Sequence, residues 1–426
     1  MSSKIRFYME SSVPELEDLK RKGLFDQKEI TMIMRRRTDF EHRIQGRGAK
    51  PRDFLKYADF EINLEKLRVK RFFRLRETDH VDTAPSISDW AGFRKIIFIF
   101  DRAVRRFSGD LDIWAKYLQF VKDKDAIKVV YRVYAKLLSL QPRNVDAWLS
   151  AAKYEFETNA NAKGARELYQ KALRLNPESR KLWISYAQFE LTYVSKLLAR
   201  RQVLGLLTEK KQEEDLKAQA KESAKRIEEA PTDGVESNSD TITFADVEED
   251  DLKSELASLP EADMNVLGSP ETNPVLKGDI ALTVFDLALP ELLKEVGKAS
   301  KIDKVFEIAD EFLSVFDQFE TLNRDHLNYH ILSYLQTNYK DDIRTSLMDI
   351  TLPLRNVSVL DSSLADALKL SVNKFTAYKS KAKDDKKKQE LSDKFVGFLT
   401  EKFVNVEETK SEKTEALLKA IIQKCR

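Results

Sequence analysis

The segments LDIWAKYLQF (111–120), VDAWLSAAKYEF (145–156) and RKLWISYAQFE (180–190) read as one unit written about twice and begun a third time. Trp114, Trp148 and Trp183 recur at spacings of 34 and 35 residues. Each is followed by apolar or aromatic residues at matching offsets: Tyr117, Leu118 and Phe120, then Ala151, Ala152 and Tyr154, then Tyr186, Ala187 and Phe189. Upstream of each Trp a second apolar run ends in a breaker. Phe100-x-x-Ala-Val precedes Ser108-Gly109, Tyr134-x-x-Leu-Leu precedes Pro142, and Tyr169-x-x-Ala-Leu precedes Pro177. Two helices per repeat of this length, closed by a breaker, predict an all-α helical-hairpin solenoid.

The pattern extends upstream in degenerate form. Phe54, Tyr57, Ala58, Phe60 and Glu61 align with Trp183, Tyr186, Ala187, Phe189 and Glu190 in register, with Phe in place of Trp. Ile96 to Phe107 then supplies a second helix after a polar break at 77–88, giving three to four hairpins between residues 50 and 205. Phe54, Tyr57, Trp114, Tyr117, Tyr134, Trp148, Tyr154, Tyr169, Trp183 and Tyr186 are expected to form the repeat core. An exposed stripe of such rings could instead stack nucleobases. Helical spacing and recurrence in every repeat favour the core.

Before the repeats, residues 13–45 predict two helices. Gly23 ends the first, and Asp26 with Glu29 makes a capping-box-like start for the second, in which Ile30, Ile33, Met34 and Arg37 share a face. From Lys20 to Arg76 there are eighteen Lys or Arg against eight Asp or Glu. Arg35, Arg36, Arg37, Arg43, Arg68, Lys70 and Arg71 are the candidate contacts to a partner or to RNA, since such a stripe can neutralise phosphates. A solvated helix face, or a dock for an acidic protein segment, would look the same.

After Arg201 the composition changes. Between Pro231 and Glu255 there are nine acidic residues and a single Lys, interleaved with Ser, Asn and Thr. That stretch cannot bury enough apolar surface to fold alone, so it reads as a spacer or as an acidic tether for a basic partner. Helical patterning returns with Ile280, Val284 and Leu287, up to a break or restart at Pro290. It continues through Ile302, Phe306, Ala309, Leu313 and Phe316, then Leu327, Ile331 and Tyr334. Further helices are expected around 364–378, 391–403 and 415–423. The expected divisions are a basic N-terminal helical block (1–50), the repeat solenoid (51–205), a charged linker (206–258) and a C-terminal all-helical stack (259–426).

Chemistry leaves few marks. Of 426 residues one is Cys and four are His, and 34% are charged. Cys425 alone can build neither an intramolecular disulfide nor a cysteine zinc site. His326 and His330 lie four apart on a helix, yet lack the Glu that a zinc-protease helix needs after its first His. No glycine-rich phosphate loop or nucleophile elbow occurs. The reading is a soluble, intracellular, non-enzymatic scaffold with no cofactor, no metal, no membrane contact and no small-molecule substrate.

Two resemblances narrow this. The repeats resemble half-a-TPR (HAT) repeats: Trp183, Tyr186 and Glu190 match the first-helix pattern. Phe100-Asp-Arg-Ala-Val and Ala165-Arg-Glu-Leu-Tyr169 with Pro177 match the second. Lys22-Gly-Leu-Phe25, Glu29-Ile30, Ile33-Met34 and Arg37-Thr-Asp-Phe-Glu-His-Arg43 are similar to the N-terminal signature of the U3 small nucleolar RNA-associated protein 6 family. Leu259-Pro-Glu-Ala-Asp through Gly278-Asp-Ile-Ala-Leu-Thr283 resembles its second signature. The resemblance implies a HAT-repeat subunit of the small-subunit processome, in the nucleus and nucleolus, acting in small-subunit ribosomal RNA maturation with the U3 ribonucleoprotein. It implies β-propeller (WD-repeat) protein partners and association with pre-ribosomal RNA. The alternatives are a HAT scaffold for splicing or 3′-end processing, or a direct RNA-binding protein acting through the basic N-terminal region.

Overall fold

The breakers of the sequence fall where the chain turns. The computed structural model describes residues 3–76, 84–203, 274–294, 297–357, 361, 363–381, 385–404, 418 and 420–424. Among these there is no strand. The chain divides into two compact units, Met1–Pro142 and Arg143–Arg426. The acidic stretch, most of the second signature and Cys425 lie outside the described residues.

Among the described residues the first unit holds seven helices: α1 (Ser3–Glu10), α2 (Val13–Arg21), α3 (Gln27–Gln45), α4 (Pro51–Arg76), α5 (Ile87–Arg106), α6 (Leu111–Lys122) and α7 (Ile127–Leu140). Gly23 ends α2 with φ at +68°, a left-handed conformation that glycine adopts without a Cβ clash. At the start of α3 the Glu29 carboxylate accepts from the Asp26 backbone N–H at 3.0 Å. Asp89 does the same for Ser86 at the start of α5, at 2.9 Å. Helix α1 carries neither an acidic first turn nor a basic last turn, and the sequence reading did not include it. The division expected at residue 50 falls inside this unit, because α3 packs directly on α4.

One joint repeats along the chain. An aromatic on the second helix of one hairpin stacks on the Tyr of the next first helix. Phe40 lies on Tyr57 with ring centroids 5.1 Å apart, Phe100 on Tyr117 at 5.0 Å, and Tyr169 on Tyr186 at 5.3 Å. Helix α3 therefore serves as the second helix of a repeat whose first helix has diverged. The Trp is fixed by its polar edge: Trp114 Nε1–H donates to the Ser108 carbonyl at 3.0 Å, and Trp183 Nε1–H to the Pro177 carbonyl at 2.9 Å. The breaker thus supplies the acceptor that a buried indole N–H needs. Burying one such ring removes roughly 200 Å² from water, worth on the order of 5 kcal/mol. All ten residues expected in the repeat core are buried, Trp114 to 1% exposure.

The second unit holds α8 (Val145–Glu157), α9 (Ala162–Leu175) and α10 (Arg180–Val203). Then follow α11 (Pro274–Lys277), α12 (Asp279–Leu292), α13 (Lys298–Phe316), α14 (Arg324–Asn338), α15 (Ile343–Thr351), α16 (Leu364–Lys381) and α17 (Asp385–Leu399). Helix α10 packs on α9 and on α12 and α13. Two apolar faces differ from the sequence reading. On α12 the buried stripe is Ala281, Val284, Phe285, Ala288 and Leu289, while Leu287 is 62% exposed. On α13, Ile302 is exposed and Phe306, Ala309, Leu313 and Phe316 are buried. Pro290 neither breaks nor restarts α12, which runs two residues past it. A last core gathers Ile350, Leu354, Leu368, Phe375, Phe395 and Phe403 from α15 to the residues after α17.

Candidate interaction surfaces of the N-terminal unit

Arginine, glutamate and lysine side chains from four helices meet inside the first unit. Arg37, on the apolar face of α3, has no solvent exposure. Its Nε and Nη2 donate to the two carboxylate oxygens of Glu61 on α4, each at 2.8 Å. Its Nη1 and Nη2 also donate to Glu15 on α2, at 3.3 and 3.1 Å. Lys95 of α5 closes the group, donating to Glu15 at 2.9 Å and to the Ser12 hydroxyl at 2.8 Å. Two cations and two carboxylates balance. Burial works against the charge on Arg37, yet Glu61 and Glu15 outweigh it and hold the guanidinium above its ordinary range. Burial lowers the Lys95 ammonium, with Arg37 adding to the effect.

Two further groups tie the unit together. Asp18 accepts from the Ser86 hydroxyl, the Ser88 backbone N–H and Arg21. Arg68 bridges Glu65 and Asp89, and Arg71 grips Glu29 at 2.8 and 2.7 Å while donating to the Leu24 carbonyl. The Arg71 guanidinium also lies 4.6 Å from the Phe25 ring centroid.

The seven basic residues singled out in the sequence therefore separate. Arg37, Arg68 and Arg71, expected as external contacts, are committed to intramolecular carboxylates; freeing Arg37 would leave two buried carboxylates with Lys95 as their one cation. Arg35, Arg36, Arg43 and Lys70 are exposed, and no ion pair holds them among the described residues. The sequence already held a signal for Arg37, which shares the face of Ile30 and Ile33. Exposed Arg52, Lys56 and Arg74 escaped notice there, although they continue the Lys70 stripe of α4 at helical spacing.

A cleft of about 390 Å³ opens between α1, α2 and α5. Phe7, Ile87, Trp90 and Phe98 stand on its walls, and Tyr57 and Glu15 lie beneath. Phe7 is 65% and Trp90 44% exposed. Such a groove can take an apolar side chain or one face of a helix. In the second unit, the two spaced histidines each face one carboxylate of α12: His326 meets Asp279 at 2.8 Å and His330 meets Asp286 at 3.1 Å. Among the described residues no group of three or more His, Cys, Asp or Glu is placed to hold a metal ion, and no helix is long and apolar enough to cross a membrane.

Comparison with known proteins separates the two parts of this architecture. Residues 9–95 match the family model described as U3 small nucleolar RNA-associated protein 6. Residues 99–209 match the model of the PRP39 N-terminal HAT repeat. Among curated proteins, U3 small nucleolar RNA-associated protein 6 of Schizosaccharomyces pombe is 38% identical over 204 residues, 48% of this chain and 41% of that protein. The human homolog is 31% identical over 168 residues, 39% of this chain and 28% of its own length. The Dictyostelium discoideum homolog is 23% identical over 352 residues, 80% of this chain and 51% of its own. The chain thus spans about half or less of the relatives it matches. The all-α helical-repeat fold read from the Trp spacing is the fold of the HAT class.

Proposed function

We propose that the chain is a member of the U3 small nucleolar RNA-associated protein 6 family and a non-enzymatic scaffold subunit of the U3-associated small-subunit processome. One observation carries the reading. The family-matched block, residues 9–95, is the segment in which α2, α3, α4 and α5 are locked by the Arg37, Glu15, Glu61 and Lys95 group. Those charges are spent on holding helices in register, which leaves a rigid surface with an apolar cleft and exposed cations. A scaffold needs such a surface.

In this reading the chain works in the nucleolus, where it supports maturation of the small-subunit ribosomal RNA. Its partners are β-propeller proteins of the same subcomplex and the U3 ribonucleoprotein. The cleft between α1, α2 and α5 receives a partner segment through Phe7 and Trp90. Depleting the protein tests this. The expected result is a fall in mature small-subunit ribosomal RNA, accumulation of its precursors, and an unchanged large-subunit RNA; equal loss of both, or of neither, would reject the reading.

The match of residues 99–209 to the PRP39 HAT repeat favours a second reading, a scaffold in splicing or 3′-end processing. It would predict retained introns or unprocessed messenger 3′ ends in the same depleted cells, with ribosomal RNA unaffected.

A further inference from the structure

We infer that one side of the α3–α4 pair is a binding strip for single-stranded RNA. On α3, Arg36, Phe40 and Arg43 follow one another at helical spacing; on α4, so do Arg52, Lys56, Phe60, Leu67, Lys70 and Arg74. The two stripes meet where Phe40 touches Phe60, ring centroids 5.6 Å apart. The buried residues of α3, Ile33, Arg37 and Ile44, border the strip on its inner side, while those of α4, Tyr57, Glu61 and Arg68, lie on the face turned away from it. From Lys56 to Arg74 the strip runs about 27 Å at 1.5 Å per residue.

Three features single this side out. Firstly, its six cations are exposed, and among the described residues none of them has an ion-pair partner. The neighbouring Arg37, Arg68, Arg71 and Arg102 are all paired. Two exposed acids stand among the strip's cations, Asp39 three residues from Arg36 and Asp59 three from Lys56, and the cations outnumber them six to two. Secondly, Arg52 with Lys56, and Lys70 with Arg74, are like charges four residues apart, an arrangement that weakens a helix. A bound polyanion removes that penalty. Thirdly, the repeat leaves its aromatic uncovered here. At the equivalent positions Phe120 is covered by Phe93 and Phe189 by Phe156, and both are buried. Phe60 has Phe40 as its ring neighbour and is only half-buried.

Rows of unpaired cations flanking a part-open aromatic pair combine backbone neutralisation with a surface for an unstacked base. A duplex would need an element that enters a groove, and this side offers a shallow strip along two helices instead. That favours a single strand over a duplex, and the aromatic pair favours RNA over an acidic peptide. The inference takes from the proposed function only that the nucleic acid is RNA; the binding itself is measured on the purified chain, apart from any particle.

The test is fluorescence anisotropy of the whole chain with a labelled short oligouridine across a salt series. The variant Lys56→Gln/Lys70→Gln/Arg74→Gln should bind at least about tenfold more weakly, with the slope of log affinity on log salt shallower by about 2, since each single-strand phosphate contact contributes about 0.7. Its far-ultraviolet circular dichroism should be unchanged, because all three side chains are exposed. Phe60→Leu, which keeps an apolar side chain, should weaken binding severalfold without altering the salt slope. Arg35→Gln, on α3 but off the strip, should change neither. Equal affinity and slope in the triple variant would overturn the proposal. So would oligoglutamate competing as well as oligouridine while Phe60→Leu has no effect, the behaviour of a dock for acidic peptides.

Discussion

Arg37 and Glu61 are 24 residues apart in the chain and joined by two hydrogen bonds of 2.8 Å with no access to solvent. Arg166 and Glu190 stand in the same relation in the second unit, 24 residues apart and joined by two bonds of 2.7 Å. In both cases the Arg precedes a stacking aromatic by three residues, and the Glu follows the stacked Tyr by four. The ion pair thus recurs at two of the three stacked joints; at the Phe100–Tyr117 joint Ile97 and Val121 take its places. The family-matched N-terminal block is a repeat whose joint has acquired Glu15 and Lys95 as well.

Replacing Arg37 with Met should cost about 3–5 kcal/mol, because it leaves Glu61 and Glu15 buried beside a single remaining cation. The double variant Arg37→Met/Glu61→Gln should recover part of that loss. Hydrogen exchange at the α3 and α4 amides reads both; a pair of losses that simply add would show that the two side chains do not act on one another.

Acid should loosen the same unit. The Arg71 guanidinium and the Asp26 backbone N–H hold the Glu29 carboxyl at about 2, against an ordinary 4.5. At Asp18 burial pushes upward, but hydrogen bonds from Ser86, Ser88 and Arg21 prevail and bring it from 3.8 to about 2. Both pKa values are depressed on folding, so as pH falls the unfolded chain takes up protons first. Their stabilisation is complete above about 4.5 and is lost progressively toward 2. Urea midpoints followed across that window should fall, and Arg71→Gln should flatten the part due to Glu29. A midpoint that rises on acidification would contradict this sign.

Trp114→Ala should destabilise the first unit by about 3–5 kcal/mol, the usual range for emptying a buried aromatic site. Trp114→Phe should cost less, since it keeps the ring but leaves the Ser108 carbonyl without its indole donor. A thermal melt in which both substitutions are silent would mean the ring is not core.

Gly278→Ala should destabilise the second unit. Gly278 sits at φ +92°, and an added Cβ would come within 3.0 Å of Leu191 and 3.2 Å of Leu327. Backbone strain and crowding act together there, so Leu191→Ala should only partly rescue the variant. Full rescue in a denaturation series would assign the cost to crowding alone.

The repeat was legible because an aromatic at a fixed offset from a breaker is a local pattern, and local patterns survive in a single sequence. Phe54 could be aligned with Trp183 for that reason. What the charged residues do was not legible in the same way. Arg35, Arg36 and Arg37 are consecutive and chemically alike; only the helical phase sends Arg37 to Glu61 and leaves the other two in water. On α13 only Ile302 departs from the expected face, whereas the face of α12 is turned by one residue, since a chain that offers Ile280, Val284 and Leu287 also offers Ala281, Val284, Phe285 and Ala288. The wider stripe, with two aromatic or branched anchors and two small residues, packs closer. The cleft lined by Phe7 and Trp90 joins helices some eighty residues apart in sequence, and no local pattern records such a meeting.

The most direct measurement of the central claim is the identity of the RNA recovered with the tagged protein from its native cells after a stringent wash. The account predicts U3 small nucleolar RNA together with precursors of the small-subunit ribosomal RNA. Recovery of spliceosomal RNAs with no U3 RNA would contradict it.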